Sequence, residues 1–213
     1  MIQLRRSDLK TNLVRVIHQG KGLQSSVYLV EVGGVRAAVK DFASTPPKFR
    51  RFVAPILVGR EIKALKHLDG TPGVPRFYGR VDKLAFAMEF IEGKPIADFA
   101  AGEVSPQILQ NVQQSIDAIH ERGVSHGDLK RRSNLLVTPD EQVYLIDFAA
   151  AVVGKRKVNF LLNWLQKRMA EIDDKAISKI KKFSAPDLMT SADWDNLNKK
   201  TILEKWARRL LNR

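Results

Sequence analysis

Three oxygen-bearing side chains stand close together in the sequence, two on a short loop and one after an apolar strand. The loop covers residues 125–137 and contains Asp128 and Asn134, and the strand at residues 144–146 leads into Asp147. In phosphoryl transfer, one carboxylate accepts the proton of the attacking hydroxyl, while an amide and a second carboxylate hold Mg²⁺ against the nucleotide phosphates. Because the transition state is loose, well-placed oxygen ligands are most of the machinery required. The pattern therefore predicts Asp128 as general base and Asn134 and Asp147 as Mg²⁺ ligands.

The elements that must position these side chains follow from the hydrophobic periodicity. Five strands are predicted, at residues 14–18, 27–32, 35–40, 75–81 and 84–90. One helix is predicted between the third and fourth strands, from Pro55 to Leu68. Later helices are predicted to begin at Ser105-Pro106, at about Val158 and at about Asp193, with short strands at residues 135–137 and 143–147. We therefore expect an α+β chain with residues 1–90 and 96–213 as two lobes and residues 91–95 as the hinge.

Taken in chain order, these features resemble the protein-kinase-like superfamily over residues 14–149. A Gly-rich turn is followed by Ala38-Val39-Lys40 on the third strand and by Glu61 on the helix. Residues 88–91 then stand at the lobe junction, ahead of the Asp128 loop and Asp147-Phe148-Ala149. The resemblance implies a two-lobed fold with a five-stranded antiparallel N-lobe sheet plus one helix and an abbreviated, mostly helical C-lobe. It also implies ATP and Mg²⁺ as cofactors.

The same resemblance assigns roles to further residues. Lys40 would touch the nucleotide phosphates and be held by Glu61, and Lys130 would contact the transferred phosphoryl group. The residues implied to contact the nucleotide are Gly20, Gly22, Ser25, Val27, Lys40, Met88, Glu89 and Ile91. Taken singly, a strand Lys or a Gly-Lys-Gly turn is most often an ordinary surface feature. The interpretation depends on the conjunction, since each residue falls on the element type and in the order that the family requires.

Four departures from the family pattern stand out. Ser25 replaces the third Gly of the turn, and Ala149 replaces the Gly after Asp-Phe. Five residues separate Asp128 from Asn134, where the family pattern has four. Gly127 occupies the position at which regulated protein kinases carry Arg, so the usual partner of a phosphorylated activation loop is missing. The abbreviated C-lobe and the His-Gly-Asp sequence, in place of His-Arg-Asp, make the chain resemble the small atypical kinases. These include the RIO-type group and the bacterial lipopolysaccharide core sugar kinases.

Charge and composition limit the partners without choosing among them. The net charge is +13, and the residues after Ala149 include 15 basic and 7 acidic ones. Such an excess is typical either of a solvated surface or of an anionic partner, whether nucleotide, nucleic acid or phospholipid headgroups. The helix from Val158 is predicted as a core helix. Its alternative role is attachment to an anionic membrane surface, through the basic C-terminal helices and the aromatic residues Phe160 and Trp164.

These observations predict an ATP-dependent kinase acting on a hydroxyl acceptor. Lys130, two residues after the base, favours a protein Ser/Thr hydroxyl, whereas the basic C-terminal part supports the alternative of a glycolipid sugar at the inner membrane surface. A catalytically silent kinase fold that serves as a basic binding module is the alternative of another class, supported by Ser25, by the extra residue before Asn134 and by Ala149. The chain has no Cys, which excludes disulfides and thiolate metal sites. No apolar run approaches a membrane span, so we expect a cytoplasmic location, with a peripheral position at the membrane left open.

Overall fold

The computed structural model describes residues 4–154 and 160–198, and the chain divides into two compact units. The first unit comprises Met1–Gly70 and Pro75–Glu92, and the second comprises Thr71–Val74 and Gly93–Arg213. The segment Thr71–Val74 belongs with the second unit, because the carbonyl of Gly73 accepts a hydrogen bond from the Leu145 amide at 2.8 Å. The prediction from sequence, which assigned residues 1–90 to the first lobe, did not separate this segment from its neighbours.

The first unit is built on a five-stranded antiparallel sheet, as predicted. Its elements are α1 (Asp8–Thr11), β1 (Leu13–His18), β2 (Ser26–Val32), β3 (Val35–Asp41), α2 (Pro47–Phe52), α3 (Ala54–His67), β4 (Phe77–Arg80) and β5 (Ala85–Glu89). The strand order is β1-β2-β3-β5-β4, and every neighbouring pair is antiparallel. The sequence predicted α3 but not α1 or α2, because helices of four and six residues are too short to show a helical period.

Local sequence explains how this sheet is assembled. Gly33 and Gly34 form the turn between β2 and β3 with φ angles of 59° and 76°, which is the geometry a two-residue hairpin turn demands and which Gly adopts without strain. The buried face of α3 carries Ala54, Val58, Glu61, Ile62, Ala64 and Leu65. A charged residue within this apolar face requires a partner, and β3 supplies it.

The second unit is mostly helical, as expected. Its elements are β6 (Lys94–Pro95), α4 (Pro106–Glu121), β7 (Val124–Ser125), β8 (Leu135–Val137), β9 (Val143–Leu145), β10 (Val152–Val153), α5 (Phe160–Ser184) and α6 (Ser191–Asn198). Short strands form the sheets β6-β8-β9 and β10-β7. The predicted start of α4 is confirmed, since the Ser105 hydroxyl accepts a hydrogen bond from the Ile108 amide at 3.1 Å and Pro106 occupies the first turn.

Two predictions for the C-terminal part fall partly outside the described residues. These are the basic residues 155–157 with the side chain of Phe160, and the last helix beyond Asn198. Within the described part, α5 is present and buries Ala176 and Ile180, whereas Trp164 is exposed. Among the helices of residues 4–154 and 160–198, none combines the length and apolar character that crossing a membrane needs.

Candidate active site

A buried ion pair in the first unit joins the two residues predicted to act together. The Lys40 Nζ atom on β3 lies 2.8 Å from Glu61 Oε2 on α3, and the two side chains are only 7% and 1% exposed. Within the sheet, Lys40 is flanked by Val27 on β2 and Phe86 on β5. Two charges removed from water stabilise each other, because loss of one removes the nearest opposite charge of the other. The predicted contact is therefore present, and the proposed role toward nucleotide phosphates stays a prediction.

The Gly-rich turn between β1 and β2 is closed by a hydrogen bond between its first Gly and the start of β2. The Gly20 amide donates a hydrogen bond to the Ser26 hydroxyl at 3.1 Å, and a Cβ atom at Gly20 would lie 2.4 Å from the Gln24 carbonyl oxygen. Gly22 has a φ angle of 61°, and Ser25 is buried. A turn that excludes side chains lets its backbone approach a phosphate closely, so the geometry fits the predicted nucleotide contacts.

The remaining predicted nucleotide contacts lie on and after β5. Met88 is buried and stands opposite Ala38 of β3. The Glu89 amide donates a hydrogen bond to the Arg76 carbonyl at 2.9 Å. The amide of Glu89 is thus already used, so any contact of this residue with an adenine must run through its carbonyl. Ile91 follows the strand and is half-buried.

In the second unit, the loop after β7 absorbs the extra residue before Asn134 in a turn. The Arg131 amide donates to the Asp128 carbonyl at 3.2 Å, and the Asn134 amide donates to the Arg131 carbonyl at 2.9 Å. The Asn134 side-chain Nδ2 also donates to the Asp128 carbonyl at 3.0 Å. Despite the longer spacing, the structure therefore brings the predicted base and the predicted amide ligand together on one loop.

Asp147 is placed next to this loop by the strand that precedes it. The Ile146 amide donates to the Asn134 carbonyl at 2.9 Å, so the residues before Asp147 run alongside Asn134. Asp147 itself has φ and ψ angles of 66° and 65°, a left-handed conformation that non-Gly residues rarely adopt and that functional sites often contain. One carboxylate and one amide oxygen suit Mg²⁺, which typically takes a few protein ligands and completes its shell with phosphate oxygens. The donor set fits the predicted ion.

A buried carboxylate that sequence reasoning missed holds the catalytic loop in place. Asp173 on α5 is fully buried, and its two oxygens accept the amides of His126 and Gly127 at 2.7 and 2.8 Å. His120 Nε2 lies 3.3 Å from the same side chain. The sequence offered a signal, since Asp173 lies four residues after Met169 and three before Ala176, at the helical spacing of apolar residues along α5. An acid at such a position requires buried donors.

The geometry around Gly127 explains why the Arg of regulated protein kinases is absent. Gly127 has a φ angle of 80°, and a Cβ atom there would lie 2.4 Å from Met169 Cε and 3.1 Å from the Ala150 carbonyl oxygen. Any side chain would meet both a strained backbone and occupied space. The position is therefore built for Gly.

His126 is held in its neutral form. Burial lowers the pKa of His126, against the opposing influence of Asp173 and of a backbone hydrogen bond. Its Nε2 atom lies 2.9 Å from the Ile146 carbonyl oxygen and therefore carries the proton. The ring also packs against Phe148, with 4.7 Å between the ring centres.

Two exposed basic residues follow the predicted base. Arg131 Nε lies 3.3 Å from Asp128 Oδ2, a contact that the sequence did not predict. Lys130, the predicted contact to the transferred phosphoryl group, is exposed, and its carbonyl accepts from Lys179 Nζ at 3.5 Å. Exposed ion pairs add little stability, so Arg131 can leave Asp128 at small cost.

Comparison with known proteins places these groups in context. The family profile described as protein kinase domain matches residues 14–194. A probable bifunctional tRNA threonylcarbamoyladenosine biosynthesis protein of Methanosarcina mazei is 32% identical over 142 residues, covering 63% of this chain and 24% of that protein. The serine/threonine-protein kinase PknH of Mycobacterium bovis is 35% identical over 146 residues, covering 62% and 23%. The serine/threonine-protein kinase cds1 of Schizosaccharomyces pombe is 34% identical over 103 residues, covering 44% and 22%.

The chain thus spans about a quarter of the length of these curated relatives. The finer resemblance to RIO-type and lipopolysaccharide core sugar kinases is not tested by these relatives and stays a prediction.

The buried pair predicts a non-additive effect on stability. Lys40→Met and Glu61→Gln should each lower the free energy of unfolding by up to about 3–5 kcal/mol, because each removes the opposite charge that lies 2.8 Å from a buried one. The double variant should lose less than the sum of the two, because it removes both buried charges together. Urea denaturation of the four proteins measures this cycle. Fully additive losses would mean that the two side chains do not stabilise each other.

The Asp173 contacts predict a local loosening of the loop. Asp173→Asn retains one acceptor oxygen, so one of the two loop amides loses its partner at a cost of about 1–3 kcal/mol. Hydrogen exchange should show faster exchange at His126 and Gly127. Asp174→Asn is the matched control, since the neighbouring side chain is about half exposed and contacts neither amide. Unchanged protection of both amides in Asp173→Asn would contradict the assignment.

Proposed function

The chain belongs to the protein kinase domain family, and from that premise we propose that it transfers the γ-phosphoryl group of ATP to a hydroxyl acceptor. The observation that carries the proposal is the buried ion pair between Lys40 and Glu61, in which Nζ and Oε2 lie 2.8 Å apart. Burial of two charges usually costs more than their attraction returns, so a fold selected for stability alone gains little from it. A role in holding nucleotide phosphates accounts for the pair, whereas the silent binding module has no use for it.

The residues of the second unit supply the chemistry of the acceptor and the metal. Asp128 accepts the proton of the attacking hydroxyl, and its backbone is held on one side by Asn134. Asn134 and Asp147 hold Mg²⁺, which when bound neutralises charge on the phosphate oxygens. Lys130 steadies the transferred group, and Lys40 orients the phosphates. These roles rest on the positions of the side chains within each unit.

The acceptor that we propose is a protein Ser or Thr hydroxyl. Lys130, two residues after the base, supports it, as do the serine/threonine-protein kinases among the relatives. A glycolipid sugar is the second candidate, with the basic residues after Ala149 in its favour. Transfer of labelled phosphate from ATP to Ser/Thr peptides and to a sugar-bearing glycolipid, each tested in parallel, decides between them. ATP as donor makes the cytoplasm the proposed location.

Asp128→Asn should separate chemistry from binding. Loss of the base should lower the transfer rate by about a hundred- to ten-thousand-fold, because only the acceptor proton depends on it. The thermal shift produced by ATP with Mg²⁺ should stay at the wild-type value. Asp140→Asn is the matched control, since Asp140 is an exposed acid of the same unit and bonds only locally to Thr138. Wild-type turnover in Asp128→Asn would remove Asp128 from the role of base.

Asp147→Asn should weaken nucleotide binding only when the metal is present. An amide is a poorer ligand than a carboxylate for a hard cation, and Asn tolerates the left-handed backbone well, so the fold should survive. Titration of ATP with and without Mg²⁺, in wild type and variant, measures the difference. If Mg²⁺ improves ATP binding equally in both proteins, Asp147 is not the ligand.

A further inference from the structure

The first unit exposes a compact group of apolar side chains where α2 meets α3. Phe52, Val53 and Ile56 are 63%, 39% and 62% exposed. They are adjacent, because the Ile56 amide donates to the Val53 carbonyl at 3.0 Å and Phe52 stands one turn before Ile56. Single exposed apolar residues are ordinary, but a contiguous group of them marks an interaction surface.

This exposure is not the result of a loosely attached helix. On its inner side, α2 is anchored by Phe49, whose ring lies 6.4 Å from that of Phe42, and by Arg50, whose Nη1 donates to the Ala43 carbonyl at 2.8 Å. No residue of α2 is fully buried. The helix is thus fixed by one side and presents the other, with Phe52, to the surroundings.

The surface around these apolar side chains is basic. Exposed cations on the same two helices include Lys48 and Arg51 of α2 and Lys63 of α3. The one acid between residues 42 and 68 is Glu61, which is buried against Lys40. The guanidinium carbon of Arg51 lies 5.4 Å from the centre of the Phe52 ring. Helical spacing puts Lys63 on the same face of α3 as Ile56. We call the group Lys48, Arg51, Phe52, Val53, Ile56 and Lys63 the α2–α3 corner.

We propose that the α2–α3 corner docks on an anionic lipid surface. Its apolar side chains enter the boundary between headgroups and acyl chains, and its cations meet lipid phosphates. The combination of two signals, insertion and charge, is what stable peripheral attachment requires. This inference goes beyond the proposed kinase activity and involves none of the residues assigned to it.

The chemistry of the corner favours lipid over the other anionic partners. A nucleic acid gains from stacking on Phe52 and from the cations, but the aliphatic side chains of Val53 and Ile56 contribute nothing to such contacts. A protein partner would need an acidic surface with pockets that match two protruding side chains. A fluid membrane interface accepts them without preformed pockets, and its charge is complementary to the corner.

Co-sedimentation of the full chain with vesicles tests the proposal. Binding should occur to phosphatidylcholine vesicles that contain phosphatidylglycerol, should be absent with phosphatidylcholine alone, and should fall with added salt. Phe52→Ser with Ile56→Ser should lower the partition coefficient by about tenfold or more, because both apolar groups leave the interface. Arg51→Gln should lower it by about fivefold, the effect of one headgroup-facing cation.

Matched variants make the result specific to the corner. Val35→Ser changes an apolar side chain of β3 in the same unit that is 38% exposed, close to the 39% of Val53, and should leave binding unchanged. Melting curves should show that all variants are folded, since the altered side chains are exposed. If Trp164→Ser on α5 removes binding while the corner variants retain it, the membrane contact lies in the second unit and the proposal fails.

Two further outcomes overturn the proposal. One is the absence of binding to either vesicle type. The other is binding of single-stranded RNA that depends on Phe52 and Arg51 but is indifferent to Ile56→Ser, which would make the corner a nucleic-acid surface. Phosphate transfer from ATP is measured on the same preparations, so failure of the kinase assignment is seen separately from failure of lipid docking.

Discussion

The buried carboxylate of Asp173 is the constraint on which the second unit depends. A carboxylate removed from water is tolerated only when its oxygens are fully used, and here they accept the amides of His126 and Gly127. Hydrogen bonds to a buried charge each contribute about 1.5–3 kcal/mol, more than exposed pairs do. Because Asp128 follows Gly127 directly, the helix α5 and the proposed base are tied together. Packing the helix without the loop would leave a buried carboxylate unpaired, and folding the loop without the helix would leave two amides without their acceptor.

The first unit uses the same physical device for a different purpose. Lys40 and Glu61 come from a strand and a helix that are far apart in sequence, and their pairing fixes α3 on the sheet as well as the position of the ammonium group. In both units, therefore, a buried electrostatic contact holds the group proposed to act. Lys40 takes part in that contact itself, whereas Asp128 directly follows the two residues whose amides do. Arg131, by contrast, forms an exposed pair with Asp128 that can open at small cost.

The sequence predicted those features that depend on local periodicity or on family order. The strands of the sheet, α3, and the Ser105 cap of α4 follow from patterns within a few residues. The Lys40–Glu61 contact followed from the resemblance, which supplies long-range information that a single sequence lacks. Helical spacing places Asp173 among apolar residues and so signals a buried acid, but its partners did not follow, because they are 46 and 47 residues away and no local pattern reports such contacts. Likewise, the sequence shows that one extra residue lies between Asp128 and Asn134, but it does not show which hydrogen bonds close the turn.

The same contacts bear on how the loop could be controlled. A switch needs an element with two arrangements of similar free energy. Gly127 instead lies against Met169 with a backbone only Gly adopts comfortably, and His126 is neutral and packed on Phe148. Only residues 151–159 separate the turn after Asp147 from α5, which leaves little chain for a segment that phosphorylation would reorder. The loop is therefore ordered by buried contacts that it makes with α5 and Phe148, without a phosphorylated segment.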